Sequence, residues 1–453
     1  MTDSTVQLDD FDWQPQPEAA RLLDKLIDKL LVRCTFAREL AARLRDETGT
    51  RFVDWIDHFV LDADKDLEQE LSSAGFRAEL ADGERLWTHR GGMFPDIRSM
   101  GDKGLRVALR VESIDDFLAA HPHAGQPHVD GAADSPLRYA GVARESDVEL
   151  WIVERHGCNE FDPPTVSVTQ LDAARRHRQS FDQRRHDFDP TIDGFEHTAE
   201  LITAATAELG VDWACDLFFA AERGYWQSRN HAAQVQKGRQ DALGVGWANH
   251  DHHTYRSSRA HFKNLITLLE SLGFVCRERF YGGRAAGWGA QVLEQPACRI
   301  VIFADVDLAP DEVTGDFAHE GLSPRDELGT VGLWCRLHGE AILQAGLHHL
   351  ECQFDFDAAR RQLAAAGIRT MAPFTDFEHL RQAFTEGEVW PVDPRRIDAA
   401  QSDGVITADQ AEQFRAAGSI GSHLEILERN FGYKGFNQTG IDEIILGTDP
   451  RRQ

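Results

Sequence analysis

The chain has no apolar run approaching the ~18 residues needed to cross a bilayer. Its opening, "MTDSTVQLDDFDWQPQPEAA", lacks the basic start and apolar core of a secretory leader. These two absences lead to the expectation of a soluble, cytoplasmic protein. Basic residues are in deficit, with 48 Lys plus Arg against 75 Asp plus Glu and a formal net charge of -27. Such a surface repels phosphate backbones and anionic membranes, so neither nucleic acid nor membrane is an expected partner; an anionic small molecule requires a locally basic pocket. The 7 cysteines are odd in number and scattered, with no CxxC pair, which argues against a disulfide framework or a thiol-rich metal knot. What remains is 453 residues, 42% hydrophobic and 27% charged, enough for two or three globular domains.

Apolar spacing in "EAARLLDKLIDKLLVRCTFARELAARLRDE" predicts amphipathic helices at the start. The chain divides into N-terminal helices (1–50), a mixed region (51–157), a linker and helical segment (158–245) and a second mixed region (246–453). The two mixed regions repeat one order of elements, a strand, a helix ending in Gly-Phe, then further strands. "WIDHFVL" and "SSAGF" correspond to "NHDHHTY" and "ESLGF". The expected fold class is therefore α+β, built from duplicated βαβββ-type modules with added helices.

The chemistry concentrates in three stretches. If "DHHTYRSS" is a strand, His252 and Arg256 share one face, and His250 and His253 point elsewhere, as surface or supporting groups. In "GLHHLECQFDF" the same parity puts His349, Glu351 and Gln353 on the polar face and selects His349 over His348, which becomes the ligand only if the register slips by one. In "GSHLEILERNFGYKGF" it puts His423, Glu425 and Arg429 together and makes Glu425 the natural carboxylate, with Arg429 either a second carboxylate clamp or a salt-bridge partner. Two imidazoles and a carboxylate from separate strands form a facial triad with open coordination positions, suited to Fe(II) or Mn(II). An arginine on the same wall suits a substrate carboxylate.

"DHHTYRSS", "ITLLESLGF", "GLHHLECQFD" and "EILERNFGYKGF" together resemble the vicinal oxygen chelate superfamily, and within it the 2-oxoadipate dioxygenase/decarboxylase family, over roughly Gly246 to Gly435. The resemblance implies metal ligands His252, His349 and Glu425, a substrate-binding Arg256, and Fe(II), with Mn(II) or another divalent metal as substitute. The implied reaction takes a 2-oxo diacid and O2 to a hydroxy acid and CO2. The family opens with its first ligand strand, whereas here more than two hundred residues precede it. Two alternatives stand beside this reading: a metal-dependent lyase or isomerase of the same superfamily, and a non-enzymatic small-ligand binding protein. Aligning the two mixed regions sets His58 against His252, Val107 against His349 and Trp151 against Glu425, so the first is expected to be metal-free. Arg284 in "YGGRAAGWGAQ" is a further candidate for reaching a substrate anion, and "GYKGFNQTG", with Lys434, Phe436 and Gln438, a candidate flap.

Overall fold

The computed structural model describes residues 13–62, 64–81, 84–100, 104–283, 287–325, 327–437 and 448–452. Arg284 and Gln438 lie outside them.

Two mixed sheets carry the fold. The first contains β1 (Ile56–Leu61), β2 (Arg77–Ala81), β3 (Glu84–Thr88), β4 (Asp96–Ser99), β5 (Leu105–Arg110), β6 (Val129–Asp130), β7 (Leu137–Glu145) and β8 (Val148–Arg155), in the order β2-β3-β4-β1-β5-β8-β7-β6. The second contains β9 (His250–Arg256), β10 (Val275–Tyr281), β11 (Trp288–Gln295), β12 (Ile300–Asp307), β13 (His349–Gln353), β14 (Thr375–Phe377), β15 (Leu380–Phe384), β16 (Glu388–Trp390) and β17 (Ser419–Arg429). Its order is β10-β11-β12-β9-β13-β17-β15-β14, with β16 paired to β17, so the two sheets have one topology and β16 is an addition. Each sheet is itself two βαβββ units, the first beginning at β1 or β9 and the second at β5 or β13. The repeat is thus half the length that comparison of the two mixed regions suggests, because each region already contains a pair.

Alternation decides which face does what. In the second sheet Tyr255, Ile302, Leu350, Cys352, Leu424 and Ile426 point to one side, into a core shared with the helices Val211–Gln227 (Phe218, Phe219) and Phe262–Ser271 (Leu265, Ile266). The opposite face is left for polar side chains. In the first sheet Phe59, Val107, Leu150 and Ile152 pack against Leu22, Leu23, Ile27 and Leu30 of the helix Pro17–Arg33, whose apolar stripe follows from their spacing. Each such side chain removed from water contributes about 1.5–3 kcal/mol.

The stretch 158–193 holds the helix Val168–Asp182, capped by Ser167 and Gln170 in a reciprocal box, with Phe181 edge-on to Phe218. Further helices, Thr330–His338, Pro394–Ser402 and Ala408–Ala417, are inserted into the second sheet's connections and lengthen the spacing between its central strands.

The halves are tied at the end of β17. Arg51 donates to the Arg429 carbonyl (3.0 Å) and to Asn430 (2.6 Å), and Met93 N donates to the Gly432 carbonyl (2.8 Å). Gly432, at φ 61°, lies so close to the Phe94 ring that a Cβ would stand 2.2 Å from it.

Candidate metal centre

The centre is assembled from three adjacent strands. In the antiparallel pair β9–β13, His252 stands opposite Glu351 and Thr254 opposite His349; in the parallel pair β13–β17, Glu351 stands beside Glu425. One face therefore gathers His252, His349, Glu351 and Glu425, all buried, each offering a ligand atom with all four within 4.8 Å of one another. His252 Nε2 contacts Glu351 Oε2, and His349 Nε2 lies 3.0 Å from Glu425 Oε2 and 2.8 Å from Thr254 Oγ1. Gln382 donates to Glu425 Oε1 (3.0 Å).

The donor chemistry fits a divalent cation. Burial, reinforced by the Arg256 charge, pushes His349 down to about 3, and burial lowers His252 as well, so both rings are neutral with lone pairs available. Burial raises both carboxyls, Glu425 to about 7 and Glu351, which the Glu425 and Asp251 charges also repel, well above its ordinary value. Apart from its contact with His252 Nε2, Glu351 Oε2 has no hydrogen-bond partner among the described residues. Two neutral imidazoles facing two crowded carboxyls form a set that a cation would relieve, since metal binding displaces the protons that burial otherwise forces onto the acids. The mixed N/O donors suit Fe, Mn, Co, Ni or Zn better than a soft thiophilic ion.

Behind the ligands a second layer sets orientation. Asp251 accepts from His252 Nδ1 at 3.1 Å, which turns Nε2 toward the centre. Asp251 is itself bridged by Arg429 at 2.9 and 3.0 Å and by Gln353 at 3.0 Å; burial pushes its acidity the other way, and Arg429 and His252 hold it well below the carboxylate range. Arg429 is thus a salt-bridge partner and not a substrate clamp.

Arg256 projects from the same face of β9, and its side chain is among the largest fully buried ones. Nε and Nη1 make no hydrogen bond among the described residues, although Trp334 stacks at 5.6 Å and Asp305 is paired with Arg256 in the β9–β12 register. Burial lifts Asp305 to about 8, so at neutral pH this acid is largely protonated and does not neutralise the guanidinium. The cavity in front is walled by His252, His349, Arg256, Phe303, Phe384 and Phe436.

The other histidines fall as follows. Of the pair expected to be surface or supporting groups, His253 is fully buried and His250 half-buried: they sit by the helix Val211–Gln227, with His253 edge-on to Phe219 and beside Arg223. His348 touches His349 through Nδ1 at 3.0 Å but falls outside the four-donor group. His423 Nδ1 donates to the Thr385 carbonyl (2.9 Å), and the ring packs on Phe384. Sequence parity placed Glu351 on the ligand face but gave it no role. Its signal was its position two residues beyond His349, since strand neighbours at i and i+2 share a face. Phe436 of the candidate flap packs edge-on to His252 and Phe303.

In the first sheet the register assigns the counterparts differently from the sequence alignment at one point. His58 faces Ala108 as His252 faces Glu351, and Val60 faces Arg106 as Thr254 faces His349. Arg106, not Val107, is therefore the counterpart of His349, because Val107 belongs to the core face. Trp151, beside Ala108, does take the place of Glu425.

No protein-family model and no curated relative matches the chain. Among solved structures, it is similar to a triple mutant of 4-hydroxymandelate synthase from Streptomyces coelicolor (12% identity, 88% of this chain and 99% of that one, TM-score 0.29). It is also similar to a methylmalonyl-CoA epimerase from Mycobacterium tuberculosis (16%, 40% and 88%, TM-score 0.23) and to a xylose isomerase-like TIM barrel/4-hydroxyphenylpyruvate dioxygenase fusion protein (12%, 88% and 53%, TM-score 0.26).

Proposed function

We propose that the chain is a mononuclear non-haem Fe(II) dioxygenase that converts a small 2-oxo acid, of which 2-oxoadipate is the leading candidate, to a hydroxy acid and CO2. The observation that supports this most is the four-donor group beside a buried arginine with two nitrogens unpartnered among the described residues. His252, His349 and Glu425 would hold the metal. Bound iron supplies a template on which a 2-oxo acid and O2 meet, and the electrons that make O2 reactive. The chain's own residues do the rest. Arg256 pairs with the carboxylate at a fixed distance from the centre, beside an Asp305 that burial makes a weak acid. Phe303, Phe384 and Phe436 exclude bulk water from the reacting atoms. Asp251 and Arg429 keep His252 in one orientation. The reaction balances: one oxygen atom enters the new carboxylate and the other the hydroxyl, while loss of CO2 provides the two electrons that hydroxylation requires.

Glu351 supports a second reading. Were it to ligate as well, four protein donors would hold the ion, leaving less room for a 2-oxo acid and O2 to bind together. The centre would then act as a Lewis acid in a lyase or isomerase, with Zn, Ni or Mn in place of iron.

Oxygen uptake by Fe(II)-loaded protein with a panel of 2-oxo acids separates the two. Substrate-dependent uptake with stoichiometric CO2 supports the dioxygenase. Turnover of a 2-oxo acid without uptake moves the assignment to the lyase or isomerase, and no turnover with any divalent metal leaves a small-ligand binding protein.

A further inference from the structure

The first sheet has its own cavity at the place that mirrors the metal centre. It offers about 140 Å³ of free volume, against about 30 Å³ in front of the metal centre. Its floor is His58, the one donor the two faces share. Arg106, Ala108 and Trp151 occupy the positions of His349, Glu351 and Glu425. A cation has no site here, since three of four donors are gone and an arginine stands in the place of one.

The replacements form a wall rich in donors. Arg106 lies over the Trp151 ring at 3.8 Å and Arg98 over Phe161 at 4.6 Å, so both guanidinium planes are held by aromatic faces. Arg106 spends Nε on Glu149 (3.1 Å), and Arg98 spends Nη2 on Glu84 (2.6 Å), which among the described residues leaves most of the five N–H donors of each. Glu149 is shared with Arg144 and with Trp151 Nε1, so it offsets the Arg106 charge only in part. Arg155, by contrast, is saturated by Asp57 and by the Cys158 and Glu160 carbonyls. Glu84 and the exposed Asp162 are the carboxylates of the lining; Leu137, Ala108 and Val153 make the rest apolar, with Tyr139.

We propose that this cavity binds a small monocarboxylate with a short apolar tail. The carboxylate lies against Arg106 and Arg98, and the tail against Leu137, Ala108 and Val153. The size suits about six heavy atoms, since an engineered apolar cavity of about 150 Å³ accepts benzene. Butyrate is the appropriate probe because it lacks the keto oxygen that a metal-bound 2-oxo acid uses. The strand that carries Arg98 also carries Asp96, which bridges Arg299 of the second half at 2.5 Å.

The test is calorimetric titration of butyrate into the full chain and three variants, each first checked by thermal unfolding. Saturable binding that persists in Arg256→Met and weakens about tenfold or more in Arg106→Met is the expected result, as loss of a charge-assisted hydrogen bond requires. Ala108→Leu fills the cavity without touching any ion pair and should abolish the same binding, which keeps the proposal open to refutation if Arg106→Met does not fold. No binding to the wild-type chain, or binding lost in Arg256→Met and kept in Arg106→Met and Ala108→Leu, overturns it.

Discussion

The two sheets share one topology and one buried ion pair, yet only one has the donors for a metal. Asp57, His58 and Arg155 reproduce Asp251, His252 and Arg429: His58 Nδ1 meets Asp57 at 2.7 Å, and Arg155 clamps Asp57 at 2.8 Å, as Arg429 clamps Asp251 at 2.9 Å. An Asp–His–Arg bridge across β1 and β8, or β9 and β17, is therefore part of how this fold closes its central strands. What distinguishes the metal centre is what stands around the histidine. The aspartate-oriented histidine is common to both sheets; in the second it faces His349, Glu351 and Glu425.

Removing donors should break the contrast most strongly. His349→Ala or Glu425→Ala is expected to lower metal affinity by more than about 100-fold, beyond the 10–100-fold typical of losing a supporting partner. His58→Ala should leave metal content unchanged; elemental analysis reads both.

The shared bridge gives a matched pair. Asp251→Asn and Asp57→Asn each leave a buried arginine without its counter-charge, and each should cost about 3–5 kcal/mol in chemical denaturation. Only Asp251→Asn should also weaken metal binding, by about 10–100-fold, because only there does the histidine it orients face other donors.

Arg256→Met tests the substrate wall alone. KM for a 2-oxo acid should rise about 10–100-fold, the loss of a charge-assisted pair, with metal content intact.

A smaller effect tests the first half's attachment to the helices. His156 lies between Glu154 (3.0 Å) and Asp216 (2.9 Å); burial opposes its charge, but the two carboxylates prevail and lift it to about 10. A raised folded-state value means that this bridge stabilises fully below the ordinary 6.5 and loses its contribution as pH rises toward about 10. His156→Gln should remove that slope, on the order of 1–2 kcal/mol, from stability measured against pH.

Strand parity made much of this legible. It put His252 with Arg256, chose His349 over His348, and set Glu425 apart from Leu424 and Ile426, because a period of two needs no knowledge of neighbours. It could not reveal which strands lie side by side. Glu351 acquires its place only from the register that sets it between His252 and Glu425. The same limit produced the one-residue error at Arg106: "LRVALR" alternates equally well with either parity, and only pairing with β1 shows that Val107 faces the core. The full burial of His253 also escaped, since the helix that covers it lies earlier in the chain.

The most direct test is metal stoichiometry in anaerobically purified, Fe(II)-loaded protein, compared across the wild-type chain, His58→Ala and Glu425→Ala. One iron per chain, kept in His58→Ala and lost in Glu425→Ala, is the predicted result. Two irons per chain, or one that disappears with His58 and survives without Glu425, would contradict the placement of the centre in the second sheet.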